Sequence, residues 1–297
     1  MKRQSGIALV LVLMVTGILA LLMLQVGLSA REHVARAQLL SRHAEATLLA
    51  HSREAAMFYT LLTQPWVGAG GRRPEARNPY EAAWNFRGES FSVDGVAFEI
   101  QDTSGLLLVP QPVDGARQFV ALLGQLGVEP LRAERLGAQL MDAQRANPLD
   151  PVQVASPGRR GPAVFPLQSV AQLRSLPDMD EALFGRLEPL LTLYPVPGFN
   201  PLTAPAEILA TRLGASDLQG VLEAREQGAL DASSLYALAG FQPDETTSLY
   251  PGPALRIAFR LQGADDSAWR ETTAVLRPYG DEPLAIWSRQ TRRRGGA

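Results

Sequence analysis

Acid–base or metal chemistry usually rests on histidine, cysteine or clustered carboxylates, and this chain places few of them together. Its three histidines, His33, His43 and His51, all fall in one stretch near the N-terminus. On a continuous helix His33 and His51 share a face but stand about 27 Å apart, and His43 points elsewhere. They can form neither a metal site nor a catalytic pair within one chain. Cysteine is absent, which removes thiolate nucleophiles, thiolate metal sites and disulfides. No Gly-x-Ser-x-Gly elbow and no Gly-rich phosphate loop occurs. Carboxylates such as Asp180 and Glu188 lie near expected helix ends, where acidic residues cap or stay solvated. Arg292-Arg293-Arg294 forms a basic tail, but a net charge of -2 and a pI near 6.0 leave no broad field for nucleic acid. The proline-rich turn around 195–205 also lacks the glycines and lysines that would bring backbone N–H groups to a phosphate. Neither an enzyme nor a nucleic-acid binder is expected.

The elements that carry these residues say more. Residues 7–30 contain no charged side chain, and Met1-Lys2-Arg3-Gln4-Ser5-Gly6 before them is short, basic and ends in glycine. From Ile7 to Leu28 only Thr16 and Gln25 are polar. As a helix this run spans roughly 33 Å, against about 30 Å for a bilayer's apolar core. Lys2 and Arg3 favour a cytoplasmic N-terminus. A secretory signal is the alternative, but its apolar region runs about 7–15 residues, and a cut after Ala30 leaves Leu28 where a small residue belongs. No glycine or proline interrupts Ser29–Gln64, and Pro65 ends the helix. Leu40, Ala44, Leu48, Ala55, Phe58/Tyr59 and Leu62 recur at helical spacing, which predicts an apolar stripe covered by a sheet.

Strand signals follow. Ser90–Ile100 alternates around Asp94-Gly95, the signature of a two-residue hairpin. Leu255–Gln262 and Trp269–Leu276 alternate in the same way around a polar Gly-Ala-Asp-Asp turn, and Leu284–Ser288 adds a last strand. These segments should form one antiparallel sheet on the helix stripe. Between them lie short helices over 117–126, 132–145, 170–176, 181–191, 206–213, 217–226 and 232–239. Thr203 is expected to cap the fifth, with Pro205 in its first turn. The Gly68–Pro79 and Asn147–Pro166 segments read as loops.

A basic leader ending in glycine, a long amphipathic helix and a small sheet together resemble type IV pilin-like proteins. That resemblance implies cleavage by prepilin peptidase between Gly6 and Ile7 and N-methylation of Ile7, which stands where phenylalanine is usual. The inserted helices narrow the match. Asp102-Thr103-Ser104-Gly105, Ser169-Val170-Ala171-Gln172-Leu173 and Asn200-Pro201-Leu202-Thr203-Ala204-Pro205 resemble segments of the protein K family of the general (type II) secretion pathway, a minor pseudopilin. The fold class implied is α+β: a long N-terminal α-helix packed on a small antiparallel sheet (pilin-like), with a large inserted mostly α-helical domain. The boundaries are a leader over 1–6, a transmembrane helix over 7–28 and the periplasmic part of that helix over 29–64. The pilin-like domain takes 65–109 and 251–297, and the insert 110–250.

The resemblance also assigns residues. Leu11 occupies the position where most pilin-like subunits carry a glutamate. A carboxylate in an apolar bundle needs a partner, and its usual one is the amine of the subunit above. Leu11 needs none, as befits the tip of a filament. The family's acidic segment, which resembles a calcium-binding element, falls near Met141-Asp142-Ala143-Gln144. There Asp142 remains, and Gln172 stands where a glutamate would be. Calcium takes about six to eight oxygen ligands, so its site should be weak or lost. The function implied is a non-enzymatic tip-capping subunit that helps initiate a periplasmic pseudopilus for protein export. A tip pilin of a type IV pilus is the alternative. Implied partners are the I-type and J-type minor pseudopilins, the major pseudopilin, the prepilin peptidase and the inner-membrane assembly platform. The implied location is the bacterial inner membrane, single-pass, with the bulk of the chain periplasmic.

Overall fold

The computed structural model describes residues 5–64, 66, 76, 78–109, 116–145, 167–194, 198–240, 246–260 and 268–293. The Gly68–Pro79 and Asn147–Pro166 loops, Pro65 and the polar turn after Leu261 fall wholly or mostly outside these residues.

Helix α1 runs unbroken from Ser5 to Thr63. Its first half is apolar all round, and from Leu9 to Leu28 the large apolar side chains are 47–76% exposed. It is long and apolar enough to cross a membrane. Thr16 does not break that character, because its hydroxyl donates to the Val12 carbonyl at 2.9 Å and the Leu13 carbonyl at 3.0 Å.

The second half of α1 is amphipathic, but the covered face is not the stripe that spacing predicts. Ala50, Glu54, Met57, Phe58, Thr60 and Leu61 are buried, whereas Leu40, Leu48 and Tyr59 are 69–70% exposed. Ala44 and Ala55 are exposed too, so of the expected stripe only Phe58 is fully covered. The buried face carries a glutamate and a threonine, which disguise it in the hydropathy pattern.

That face rests on a five-stranded antiparallel sheet in the order β1(Phe91–Val93), β2(Val96–Asp102), β5(Ala254–Arg260), β6(Ala268–Leu276), β7(Leu284–Arg293). The β1–β2 turn places Asp94 at φ 49° and Gly95 at φ 78°, the doubly positive geometry that an Asp-Gly pair supplies. Arg53 of α1 reaches Asp94 at 2.6 Å and ties helix to hairpin. Alternation then aims Phe98, Ile100, Leu255, Ile257, Phe259, Ala274 and Leu276 at α1. Trp84 and Phe86, beyond the short helix α2(Pro79–Ala83), close this core. Each fully buried aromatic here contributes about 2–3 kcal/mol relative to exposure. The last strand is longer than expected, so Arg292 and Arg293 belong to β7 and pair with Trp269 and Ala268. Only Arg294 of the basic run lies outside the described residues.

The chain leaves the sheet at Asp102 through a 3₁₀ turn, Thr103–Gly105, and returns at Ala254. Between these points lie β3(Leu107–Leu108), α3(Arg117–Gln125), α4(Pro130–Arg145), a 3₁₀ helix over Val170–Ser175, α5(Glu181–Leu187), β4(Leu191–Thr192), α6(Ala206–Ala210), α7(Ala215–Glu226) and α8(Ala232–Ala239). Phe119, Leu122, Leu136, Phe184, Leu187, Leu209, Val221 and Leu235 form a second core. The expected helix over 181–191 stops early. Glu188–Leu190 tightens to 3₁₀ around Pro189, and Leu191–Thr192 becomes β4, pairing in parallel with β3. The 170–176 segment is 3₁₀ rather than α-helical.

Candidate functional site

Two of the sequence motifs meet where the two cores join. Asp102 ends β2, is fully buried, and caps the following turn by accepting from the Ser104 amide at 2.9 Å. Its Oδ2 also accepts from the Ser104 hydroxyl, from Asn200 Nδ2 at 3.0 Å and from Thr203 Oγ1 at 2.9 Å. Asn200 extends the network. Its backbone amide donates to the Ser104 carbonyl at 3.0 Å, its side-chain amide to the Tyr250 carbonyl at 3.0 Å, and its Oδ1 accepts from the Leu202 amide at 3.0 Å. Gln101 Nε2 donates to the Thr203 carbonyl at 3.0 Å, and Thr103 Oγ1 to the Ala254 carbonyl at 2.8 Å. Residues about a hundred positions apart are thus locked into one buried polar knot. A carboxylate that accepts several hydrogen bonds can remain buried.

The same knot explains the glycine of the first motif. A Cβ on Gly105 would lie 2.6 Å from the Thr203 carbonyl carbon and 2.7 Å from the Ala204 nitrogen. Only glycine lets the two backbones approach this closely. Thr203 was expected to cap the following helix, and it does not. Pro205 occupies the N-cap of α6, no side chain caps that helix, and the Thr203 hydroxyl turns inward to Asp102. The third motif serves as a helix cap. Ser169 caps the 3₁₀ helix and Gln172 closes a capping box, its Oε1 accepting from the Gln168 amide at 2.7 Å and the Ser169 amide at 3.3 Å.

The sheet's second face carries Arg256, whose guanidinium donates to the Pro189 carbonyl at 3.1 Å and the Leu191 carbonyl at 2.5 Å. Trp287 of β7 packs against Tyr194 with ring centroids 4.3 Å apart and planes tilted by 39°. The inserted helices therefore sit on the face opposite α1. Between sheet and insert opens a cleft of about 650 Å³, lined by arginines and glutamates that include Arg87, Arg174, Glu99 and Glu181.

One buried charge on α1 lay outside the sequence reading. Glu54 accepts from Thr272 Oγ1 and from Arg289 Nε at 3.1 Å, and Arg270 stands 3.7 Å away. His51 lies 3.9 Å from Glu54 with its side chain 53% exposed. A glutamate at a covered helical position, with arginines in strands far along the chain, was the available signal.

Elsewhere the carboxylates act structurally. Asp180 caps α5 and pairs with Arg132 at 2.6 Å, a contact that holds its pKa below the usual range. The Arg135 guanidinium, 3.0 Å away, lowers Asp178 similarly. Glu188 opens the 3₁₀ turn after α5. Asp142 is exposed near the end of α4. Among the described residues no three His, Asp or Glu side chains gather as a metal site. Gly6 and Ile7 lie in the first turn of α1, their side chains outside the description; Leu11 is 60% exposed in the apolar run. His33 and His43 also lie on α1; His33 is exposed, and the side chain of His43 is outside the description.

With this geometry in place, comparison with known proteins is informative. Residues 99–196 match the family model described as type II secretion system (T2SS), protein K. That stretch begins in β2 and holds both the Asp102–Gly105 turn and the Ser169 capping box. The chain is also similar to a chain of the solved GspK-GspI-GspJ complex from the enterotoxigenic Escherichia coli type 2 secretion system. The match has a TM-score of 0.53 and 18% identity, and covers 87% of this chain and 100% of that one. Among curated proteins none matches. The fold is thus an α+β arrangement of long helix, antiparallel sheet and helical insert. The chain is GspK-like: in fold over most of its length, and in sequence over residues 99–196.

Proposed function

We propose that this chain is a non-enzymatic minor pseudopilin of a type II secretion system that caps the tip of the periplasmic pseudopilus and helps start its assembly. One observation carries the reading most directly. The insert is clamped to the sheet's outer face by the Asp102–Asn200–Thr203 knot, so it is a fixed mass beside the helix and not a tethered appendage. Repeating such a mass along a tightly wound filament would obstruct stacking, which restricts the subunit to one end. The apolar run of α1 anchors the chain in the inner membrane with Lys2 and Arg3 on the cytoplasmic side. Prepilin peptidase cuts between Gly6 and Ile7, Ile7 is methylated, and Leu11 needs no amine from a subunit above. The exposed residues Leu40, Leu48 and Tyr59 offer α1 a second apolar face. It fits the helices of I-type and J-type minor pseudopilins and of the major pseudopilin, with the assembly platform acting at the membrane.

Calcium binding is proposed to be weak or absent. Asp142 is exposed, and Gln172 spends its side-chain oxygen on the capping box. Calorimetry showing micromolar calcium affinity would overturn this.

Mass spectrometry of the mature N-terminus tests the reading as a whole. A methylated Ile7 supports it, whereas an intact Met1 or a start at Arg31 removes it. Co-purification with I-type and J-type subunits from cells, with gold labelling at one filament end, tests the tip assignment separately.

A further inference from the structure

Two arginines approach each other across the join between sheet and insert. Arg87, just after α2, forms an antiparallel bridge with Gln101 of β2. Gln101 donates to the Thr203 carbonyl at 3.0 Å, and the next carbonyl, Ala204, accepts from Arg225 Nη1 at 2.6 Å. Arg225 comes from the last turn of α7. Sheet and insert thus each deliver one guanidinium to the same place. Arg87 lines the cleft between them, and so does Pro205, the neighbour of Ala204.

The donors at this place outnumber their acceptors. A guanidinium carries five N–H donors. Arg87, with its side chain 16% exposed, has one bonded, to Glu89 at 2.8 Å, and Arg225 has one bonded, to Ala204. The Nε of each is buried with no hydrogen-bond partner. Arg225 is half-buried and forms no ion pair among the described residues. Burial first, and Arg87 second, push it below its ordinary pKa, with Glu89 and Glu226 acting the other way. A buried donor without an acceptor and a half-buried charge without a counter-ion both cost stability. The other arginines of the cleft differ. Arg174 is forked onto Glu181 at 3.0 and 3.1 Å, and Arg256 donates to two carbonyls.

We propose that the cleft, at its join side, binds a tetrahedral oxyanion, phosphate or sulfate, between Arg87 and Arg225. Its oxygens accept from the Nη groups of both forks, and a small turn of each guanidinium brings the Nε donors in. Water accepts the same hydrogen bonds but offsets neither charge. The ion adds a clamp between sheet and insert beside the Asp102 knot. None of this depends on the tip assignment.

The test uses the full chain in detergent micelles, titrated with sodium phosphate or sodium sulfate while sodium chloride holds the ionic strength constant. Calorimetry should show one saturable site, and limited proteolysis of the insert should slow as it fills. Arg87→Gln and Arg225→Gln are each expected to weaken binding about tenfold, as loss of a charged hydrogen-bonding partner implies. Arg225→Lys keeps the charge but loses the fork, and should weaken binding too. Arg174→Gln, on another wall of the same cleft, should leave it unchanged. Should an arginine variant fail to fold by circular dichroism, the Nε–H resonances of Arg87 and Arg225 in the parent chain carry the test, by shifting on titration. Binding of either anion, or of both, supports the proposal. No saturable binding beyond chloride, binding of acetate but of neither tetrahedral anion, or an equal loss in Arg174→Gln would overturn it.

Discussion

On one face of the sheet Met57, Phe58 and Leu61 of α1 meet Phe98, Ile257 and Phe259. On the other, Arg256 and Gln101 reach carbonyls of the insert, and Asp102, Asn200 and Thr203 close the join. Apolar contact is strong but has no direction, so a helix lying on such a surface could rotate or slide at small cost. Hydrogen bonds fix angles. The insert, joined through the directional kind, has its orientation set by the joint itself. Helix α1 borrows direction from one buried residue, Glu54, which Arg289 and Thr272 hold in a single rotational setting.

The sharpest way to break this contrast is Asp102→Ala. It strips the acceptor from four buried donors and is expected to cost about 4 kcal/mol. Urea unfolding of the micelle-bound protein would measure that loss, and limited proteolysis should show new cuts within the insert first. Glu54→Ala comes next, at about 2–3 kcal/mol. It is smaller because Arg289, 36% exposed, can turn to water. A cycle with Arg289→Met should recover part of the loss; a purely additive result would mean that Glu54 gives α1 no register. Gly105→Ala is expected to cost about 2 kcal/mol through backbone collision with Thr203, again read by urea unfolding. The smallest effect is on pH. Asp231 caps α8, and the backbone amide of Ser234, with Ser233, holds its pKa down to about 2. A depressed carboxylate pKa stabilises above its unfolded value near 3.8 and loses that contribution as pH falls toward 2. The protection of the Ser234 amide, taken relative to its intrinsic exchange rate at each pH, should therefore fall between pH 4 and pH 2.

The sheet was legible in sequence because its signals are local: alternation, and an Asp-Gly turn whose two positive φ angles only such pairs adopt readily. The long helix was legible for the same reason. The face it buries was not, since burial of Glu54 depends on Arg270 and Arg289, more than two hundred residues away. Thr203 beside Pro205 read as a helix cap by spacing, yet a deeper acceptor at Asp102 won its hydroxyl. The β3–β4 pair escaped because two residues per strand carry no periodicity. The Asp102 and Asn200 segments could be seen as motifs; that they touch is a property of the fold alone.

Strands β2 and β5 are hydrogen-bonded neighbours, with Asp102 opposite Leu255. The whole of residues 103–253 therefore stands where an ordinary hairpin would need only a turn. Seen as genetic cargo, the insert is a parcel with adjacent entry and exit points, free to lengthen or shrink without disturbing the strands that hold it. Replacing it by a two-residue turn should leave a small helix-and-sheet subunit with an intact sheet. Lineages could have traded between bulky and slim forms through one such exchange.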